Sequence, residues 1–255
     1  MDIGKKGWLI GSAAGVVLIG GGLWFFVAKA PAPAPAPVAA VATAAPAAAA
    51  PAESLPTLEN SDEWTRAKAD GISGDARFKD WLKTANLLSR WAAAVNIVAS
   101  GKVPADALSF LRPRRKFVPL SKDGRWAVAA ASYARYDAVA DAFASIDVPA
   151  AAAFFAAARP LLDRAWSALG EGSGDVLDGT ARAARELLSA PTVPDRAELR
   201  PSEKGIVYTY ADDALEARSP AQKQLMRMGR RNQLNIQSKI RELALAVGVP
   251  ETKLR

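Results

Sequence analysis

Between Lys6 and Lys29 the chain runs for 22 residues without a charged side chain. A helix of that length rises roughly 33 Å, enough to cross a hydrocarbon layer about 30 Å thick. Trp8 and Trp24 stand near its two ends, where amphipathic rings prefer the membrane interface. Residues 7–28 are therefore expected to form a transmembrane anchor helix. Lys5 and Lys6 precede it, whereas only Lys29 follows before Arg66. Positive charge collects on the cytoplasmic side, so residues 1–6 read as a cytoplasmic tip and everything after the helix as exported. In a bacterial-type cell this predicts a single-pass inner-membrane protein with its C-terminal domain in the periplasm.

A cleaved signal peptide is the competing reading. Ala28-Lys29-Ala30 has the small-x-small form of a cleavage site, but Pro31 would follow the cut. The apolar run also exceeds the 7–15 residues of a signal core, so an uncleaved anchor is favoured. Gly7, Gly11 and Gly15 recur every four residues and would let two such helices approach closely, which allows a homodimer. The plainer explanation is that glycine is frequent in membrane helices.

Within residues 29–55, the stretch 30–52 is almost wholly Ala, Pro and Val. The alternating Ala-Pro stretch through Pro37 removes backbone donors and restricts each residue before a proline, so it cannot be helical. A disordered linker of polyproline II character is expected, with a reach of roughly 80 Å. Such an arm spaces the following domain away from the bilayer.

Residues 56–255 hold most of the 7 Trp, 8 Phe and 4 Tyr, enough for a core of their own. The chain has no His and no Cys. That removes Ser–His–Asp and Cys–His nucleophilic catalysis and zinc sites built on those ligands. No Ser-x-x-Lys occurs, and the Gly170–Gly174 stretch lacks the Lys and Ser/Thr of a phosphate loop. No cofactor and no metal site is expected. Past residue 52 there are 30 basic and 25 acidic side chains. This surplus favours anionic partners but is too weak for a nucleic-acid binder.

The periodicity predicts a mainly α, bundle-like domain with a minor β element. Phe78, Trp81, Leu82, Ala85, Leu88, Trp91, Val95 and Val98 recur at three and four residues behind an Asp75 cap, which predicts one helix of about 24 residues. Its three aromatics read as core rather than as a ligand cage. Phe117–Leu120 and Arg125–Val128 flank Asp123-Gly124, a hairpin signal, with Pro119 confining it to an edge. Ser132 reads as a cap for a helix over Tyr133–Ile146. Asp147 and Pro149 open a helix to about Leu169, with a kink or break expected at Pro160. Asp175 opens another to about Ser189. Ile206–Tyr210 reads as a strand that pairs near Leu199. Ser219-Pro220-Ala221-Gln222 is a capping box that starts a helix to about Val247, with Gly229 as its point of interruption.

Several of these motifs resemble one family. They are Tyr133-Ala134-Arg135-Tyr136-Asp137, Arg159-Pro160-Leu161-Leu162-Asp163-Arg164-Ala165-Trp166, and Tyr208-Thr209-Tyr210-Ala211-Asp212. Gln222 through Gly229, Asn232 and Lys239–Leu243 continue the series. Over roughly residues 55–247 the chain is similar to the bacterial domain of unknown function 3014. The resemblance implies a membrane-anchored protein of Gram-negative bacteria and carries no activity or catalytic residue.

Three groups are candidate binding residues. Arg112, Arg114, Arg115 and Lys116 form the densest basic run, in a loop where it can grip an anionic partner or simply be solvated. Arg227, Arg230 and Arg231 surround Gly229, with pairing to nearby carboxylates as the plainer reading. Tyr133, Arg135, Tyr136 and Asp137 lie within one and a half turns and either make structural hydrogen bonds or line a groove. Asp212, Asp213 and Glu216 are the closest carboxylates; Asp212 and Glu216, four residues apart, would share one helix face and as a pair would suit acid–base chemistry. They also read more simply as a helix cap and as a partner of Arg218 or Arg227. The leading expectation is a non-catalytic envelope interaction module that binds another envelope protein or an anionic wall or lipid component. A carboxylate-based enzyme acting on cell-wall glycan is the alternative.

Overall fold

A computed structural model of the chain describes residues 55–170, 175–202 and 207–255. The anchor, its Gly7, Gly11 and Gly15 face, nearly all of the Ala/Pro arm and most of the Gly170–Gly174 loop lie outside the described residues. Among the described residues no single helix is long and apolar enough to cross a membrane.

Ten α-helices and one small sheet make up the described chain. The helices are α1 (Asp62–Ala69), α2 (Ala76–Trp81), α3 (Leu87–Ala99), α4 (Ala130–Ala134) and α5 (Asp137–Ala144). They continue with α6 (Val148–Ser167), α7 (Val176–Leu188), α8 (Asp213–Glu216), α9 (Pro220–Met226) and α10 (Arg230–Ala246). The strands are β1 (Pro119–Lys122), β2 (Arg125–Val128), β3 (Glu198–Pro201) and β4 (Tyr208–Tyr210), all antiparallel and in that spatial order.

Side-chain capping starts most of the helices that the sequence predicts. Asp75 accepts from the Arg77 and Phe78 amides, Asp147 from Ala150, Asp175 from Asp178, and Ser219 and Gln222 form the reciprocal box. Each cap satisfies donors that a helix start leaves without an intrahelical partner. The hairpin also forms as expected. Asp123 and Gly124 both take positive φ, 52° and 75°, the handedness that matches the twist of β1 and β2. Pro119 opens β1 at the sheet edge, and Leu199 on β3 pairs with Tyr210 on β4.

Two expectations fail for local reasons, and the break allowed at Pro160 does not form. The 24-residue helix is two, because Asn86 adopts φ +57° and its amide turns to the Asp62 carboxylate at 2.9 Å. Asn tolerates that left-handed conformation better than most residues, and an apolar spacing of three runs on across the break. Ser132 caps nothing. Its hydroxyl is buried, accepting from the Val118 amide and donating to the Val118 carbonyl, both at 2.7 Å, which ties the hairpin to α4. The expected helix then divides into α4 and α5 at Arg135-Tyr136. Pro160 does not end α6, which runs its full 20 residues. A proline inside a helix costs about 3 kcal/mol. Burying Leu161, Leu162 and Trp166 on the following turns is worth about 1.5–3 kcal/mol each and outweighs it.

The main core gathers where α3 crosses α6 and α7 and where α10 crosses α5, α6 and α7. Its bulk comes from Trp91, Phe154, Phe155, Trp166, Ile240 and Leu243. Ala92, Ala140, Ala151, Ala158 and Ala184 are fully buried between helices and allow close approach, which gives the alanine-rich sequence a packing role. At Gly179 an added Cβ would overlap the Trp166 ring. A second, smaller core lies under the sheet, from Val128, Val193, Ala197, Leu199, Tyr210 and Met226.

Candidate functional site

The corner between α4 and α5, the α9–α10 junction and strand β4 meet beside the small core. Gly229 makes that meeting possible. Its φ is +83°, and a Cβ there would fall 2.6 Å from Cγ of Tyr133. Without a side chain at 229, the Tyr133 ring closes on the backbone where α9 ends and α10 begins.

Two polar assemblies result. The first is structural. Asn232, only 2% exposed, donates from Nδ2 to Asp137 Oδ1 at 2.8 Å, to the Met228 carbonyl at 2.9 Å and to the Tyr133 carbonyl at 3.4 Å. Arg231 closes its outer side, donating from Nη1 to Asn232 Oδ1 at 3.3 Å, 3.4 Å from Asp137 and also paired with Asp141. Nearby, Gln233 donates to the Ala190 and Pro191 carbonyls at 3.2 and 2.9 Å. These bonds dock α10 against α5 and the end of α7.

The second assembly is a cleft lined by Phe117, Val128, Arg135, Leu199, Tyr208, Tyr210 and Arg227, with a void of about 20 Å³. Such a void is room for about one water molecule. The Arg135 guanidinium stacks over two rings, with its centre 5.6 Å from Phe117 and 4.8 Å from Tyr136. Its Nη2 donates to the Tyr136 hydroxyl at 3.1 Å, and Gln224 donates to the same oxygen at 3.2 Å. Tyr208 packs on Phe117 and Trp126 at 5.7 and 5.5 Å between ring centroids.

What distinguishes the cleft is unspent polar capacity. Neither Arg135 nor Arg227 pairs with a carboxylate among the described residues, although both are half-buried. The buried Arg135 Nε and the Tyr133 and Tyr210 hydroxyls make no hydrogen bond there either. Burial pushes the Tyr210 hydroxyl far above its usual pKa of 10, with Arg227 working against the rise and Tyr133, Glu216 and Tyr136 adding to it. Tyr133 is raised in the same sense, first by burial. The Ala197 amide opposes this, from a position outside hydrogen-bonding geometry. Both tyrosines thus stay neutral donors, Tyr210 on the cleft lining and Tyr133 against the small core beside it.

The remaining candidates scatter. Arg112, Arg114, Arg115 and Lys116 are all exposed in the loop before β1, and none pairs with a described carboxylate. Arg230 is exposed at the start of α10. The arginines around Gly229 therefore separate, with Arg227 in the cleft, Arg231 in the Asp137–Asp141 pairs and Arg230 in solvent. The three carboxylates are engaged individually. Asp212 caps α8, and Asp213 pairs with Arg200 at 2.8 Å. Glu216 accepts from the Tyr210 amide at 2.9 Å and pairs with Lys223 at 2.6 Å, where the sequence pointed to Arg218 or Arg227.

Sequence reading missed a second feature altogether. A cavity of about 90 Å³ lies among α1, α2, α3, α6 and the loop before β1. Phe78, Leu88, Trp91, Val95, Phe154 and Phe155 wall it, and the Thr65 hydroxyl is buried against it without a hydrogen-bond partner. No spacing rule reports a void, because a void is set by how helices meet.

Fold and site together define a mainly helical domain whose small sheet helps to frame an arginine–tyrosine cleft. The model of the family described as protein of unknown function (DUF3014) matches residues 87–244, and the chain belongs to that family. The match is narrower than the 55–247 that the sequence motifs mark out, and it leaves α1 and α2 outside. All cleft residues fall within it, whereas the apolar cavity straddles its edge. No curated protein and no solved structure matches the chain.

Proposed function

We propose that this protein is a single-pass inner-membrane protein that presents its helical domain in the periplasm as a non-catalytic interaction module. The uncharged run 7–28, with Lys5 and Lys6 before it, supplies the anchor and its orientation. The Ala/Pro arm supplies reach. The observation that carries the interaction reading is the pairing of Arg135 and Arg227, two half-buried cations without described carboxylate partners, on a cleft faced by Phe117 and Tyr208.

A planar guanidinium already stacked on aromatic rings is held ready for a carboxylate, because little rotamer freedom remains to be lost on binding. The partner fitted to this surface is an envelope protein that offers an acidic segment. Arg112, Arg114, Arg115 and Lys116 extend positive charge along the loop that leads to Phe117 and would speed the encounter.

The absence of cysteine makes placement testable. A Lys122→Cys substitution puts one thiol on the exposed hairpin. A small membrane-impermeant maleimide should label it in intact cells. Labelling that appears only after the inner membrane is broken would place the domain in the cytoplasm and end this reading.

A further inference from the structure

We infer that the apolar cavity is a binding site for a medium-chain fatty acid, a straight alkyl chain that ends in a carboxylate held at Arg90. The inference stands apart from the acidic-partner reading, since the cavity and the cleft share no lining residue.

Size sets the chain. At about 10–15 Å³ of void per water-sized group, a cavity of about 90 Å³ takes roughly six to nine such groups. That is a chain of about eight carbons. Chemistry sets its character. A buried water needs two to four polar partners, and the wall presents almost only apolar atoms, with the Thr65 hydroxyl, Arg90 and the indole N–H groups of Trp81 and Trp91 as its polar side-chain groups. Water is therefore a poor occupant and alkyl groups are good ones.

Arg90 sets the end group. It is half-buried beside Trp81, Leu87 and Phe110, the partly exposed side of the lining. Its Nε donates to the Ala85 carbonyl at 3.0 Å, and its Nη1 donates to Asp106 and Ala107 carbonyls at 3.0 and 3.3 Å. Three backbone carbonyls thus fix the guanidinium in place, while it pairs with no carboxylate among the described residues and its Nη2 makes no described bond. A fixed cation at the rim of an apolar cavity complements a chain with one terminal carboxylate. The break at Asn86 permits this arrangement: α3 starts afresh at Leu87, and Arg90 reaches back across the break to Ala85.

The test uses the full chain in lipid nanodiscs, with empty nanodiscs of the same lipid as the blank. Octanoate, octanol and octylamine are titrated by calorimetry. Octanoate should bind saturably at one site, octanol about tenfold more weakly, and octylamine not measurably. Arg90→Gln should bring octanoate down to the level of octanol. Ala94→Leu, which fills the cavity from α3, should abolish binding of both and leave the melting temperature unchanged or higher. The inference is overturned if octanoate shows no saturation beyond the blank, which includes the case of a cavity already filled by the chain itself. It is equally overturned if Arg90→Gln leaves the preference for acid over alcohol intact, a ratio that reads the site even if Ala94→Leu disturbs folding.

Discussion

The ring of Tyr133 rests on the Cα of Gly229, so that a methyl group at 229 would sit 2.6 Å from Cγ of the ring. Two separate penalties follow for Gly229→Ala. A non-glycine residue at φ +83° is strained by about 1–3 kcal/mol, and overpacking adds about 1–3 kcal/mol. The expected loss is about 2–6 kcal/mol by urea denaturation. Gly124→Ala is the control, because it shares the positive φ and meets nothing within 4 Å. It should cost about 1–2 kcal/mol, the backbone penalty alone. Adding Tyr133→Ala to Gly229→Ala should relieve the overlap and leave the strain, which shows as non-additivity of at least about 1 kcal/mol. Strict additivity would mean that the ring does not rest there.

Asn232 and Arg231 both touch Asp137 but should differ greatly in worth. Asn232 is buried, and the two N–H bonds of its Nδ2 serve Asp137 and the Met228 carbonyl, with the Tyr133 carbonyl at a longer 3.4 Å. Asn232→Ala leaves Asp137 and a buried carbonyl short of donors, at about 2–3 kcal/mol. Arg231 is exposed, its carboxylate partners are half-exposed and its bond to Asn232 is long at 3.3 Å, so Arg231→Ala should cost only about 1 kcal/mol. Thermal unfolding of the two variants checks the order, and a reversal would show that the seam is held from its outer edge.

Asp175 gives the fold an acid-sensitive element. The Asp178 amide, and more weakly Arg159 at 2.9 Å, hold its carboxyl below the ordinary value of 3.8 against an opposing effect of burial. A carboxyl with a depressed folded pKa releases its proton more readily in the folded state, so its stabilisation is complete above the unfolded value. That stabilisation disappears as pH falls through the folded one. Asparagine caps about as well as aspartate, so Asp175→Asn isolates the charge. It should cost about 0.5 kcal/mol at neutral pH, as expected for an exposed pair, with the gap closing below the ordinary carboxylate value. A gap that persists unchanged down to pH 2 would assign the effect to the cap instead.

Much of the fold was legible because it is written locally. Asp75, Asp147, Asp175 and Ser219 each cap within three residues of themselves, and Asp123-Gly124 carries its own turn geometry. The failures share a cause at longer range. Ser132 has a capping residue's chemistry but spends it on Val118, and Pro160 stays helical because of what its neighbours bury. The Asn86 break could have been suspected from an asparagine behind Lys83 and Thr84, but unbroken apolar spacing hid it.

The candidate site was half visible. Tyr133, Arg135, Tyr136, Asp137 and Arg227 were singled out for adjacency in sequence, and the structure divides them between a structural seam and a cleft. Phe117, Tyr208 and Tyr210 complete the cleft from segments some 20 to 70 residues away, where no spacing rule links them. Arg90 gave no signal at all, since one arginine in a helix is ordinary until its carbonyl partners and the neighbouring void are seen.

Partner capture at the cleft, in living cells, is the most direct measurement. Tyr208 is partly exposed on the lining and can be replaced by a photo-crosslinking phenylalanine analogue. The expected result is capture of an envelope protein through a segment rich in Asp and Glu. Capture should fall at least tenfold in the Arg135→Gln/Arg227→Gln double variant and return in part with lysine at both positions. Capture that is indifferent to those two arginines, or no capture from a correctly folded and exported domain, would contradict the assignment of this cleft as the binding surface.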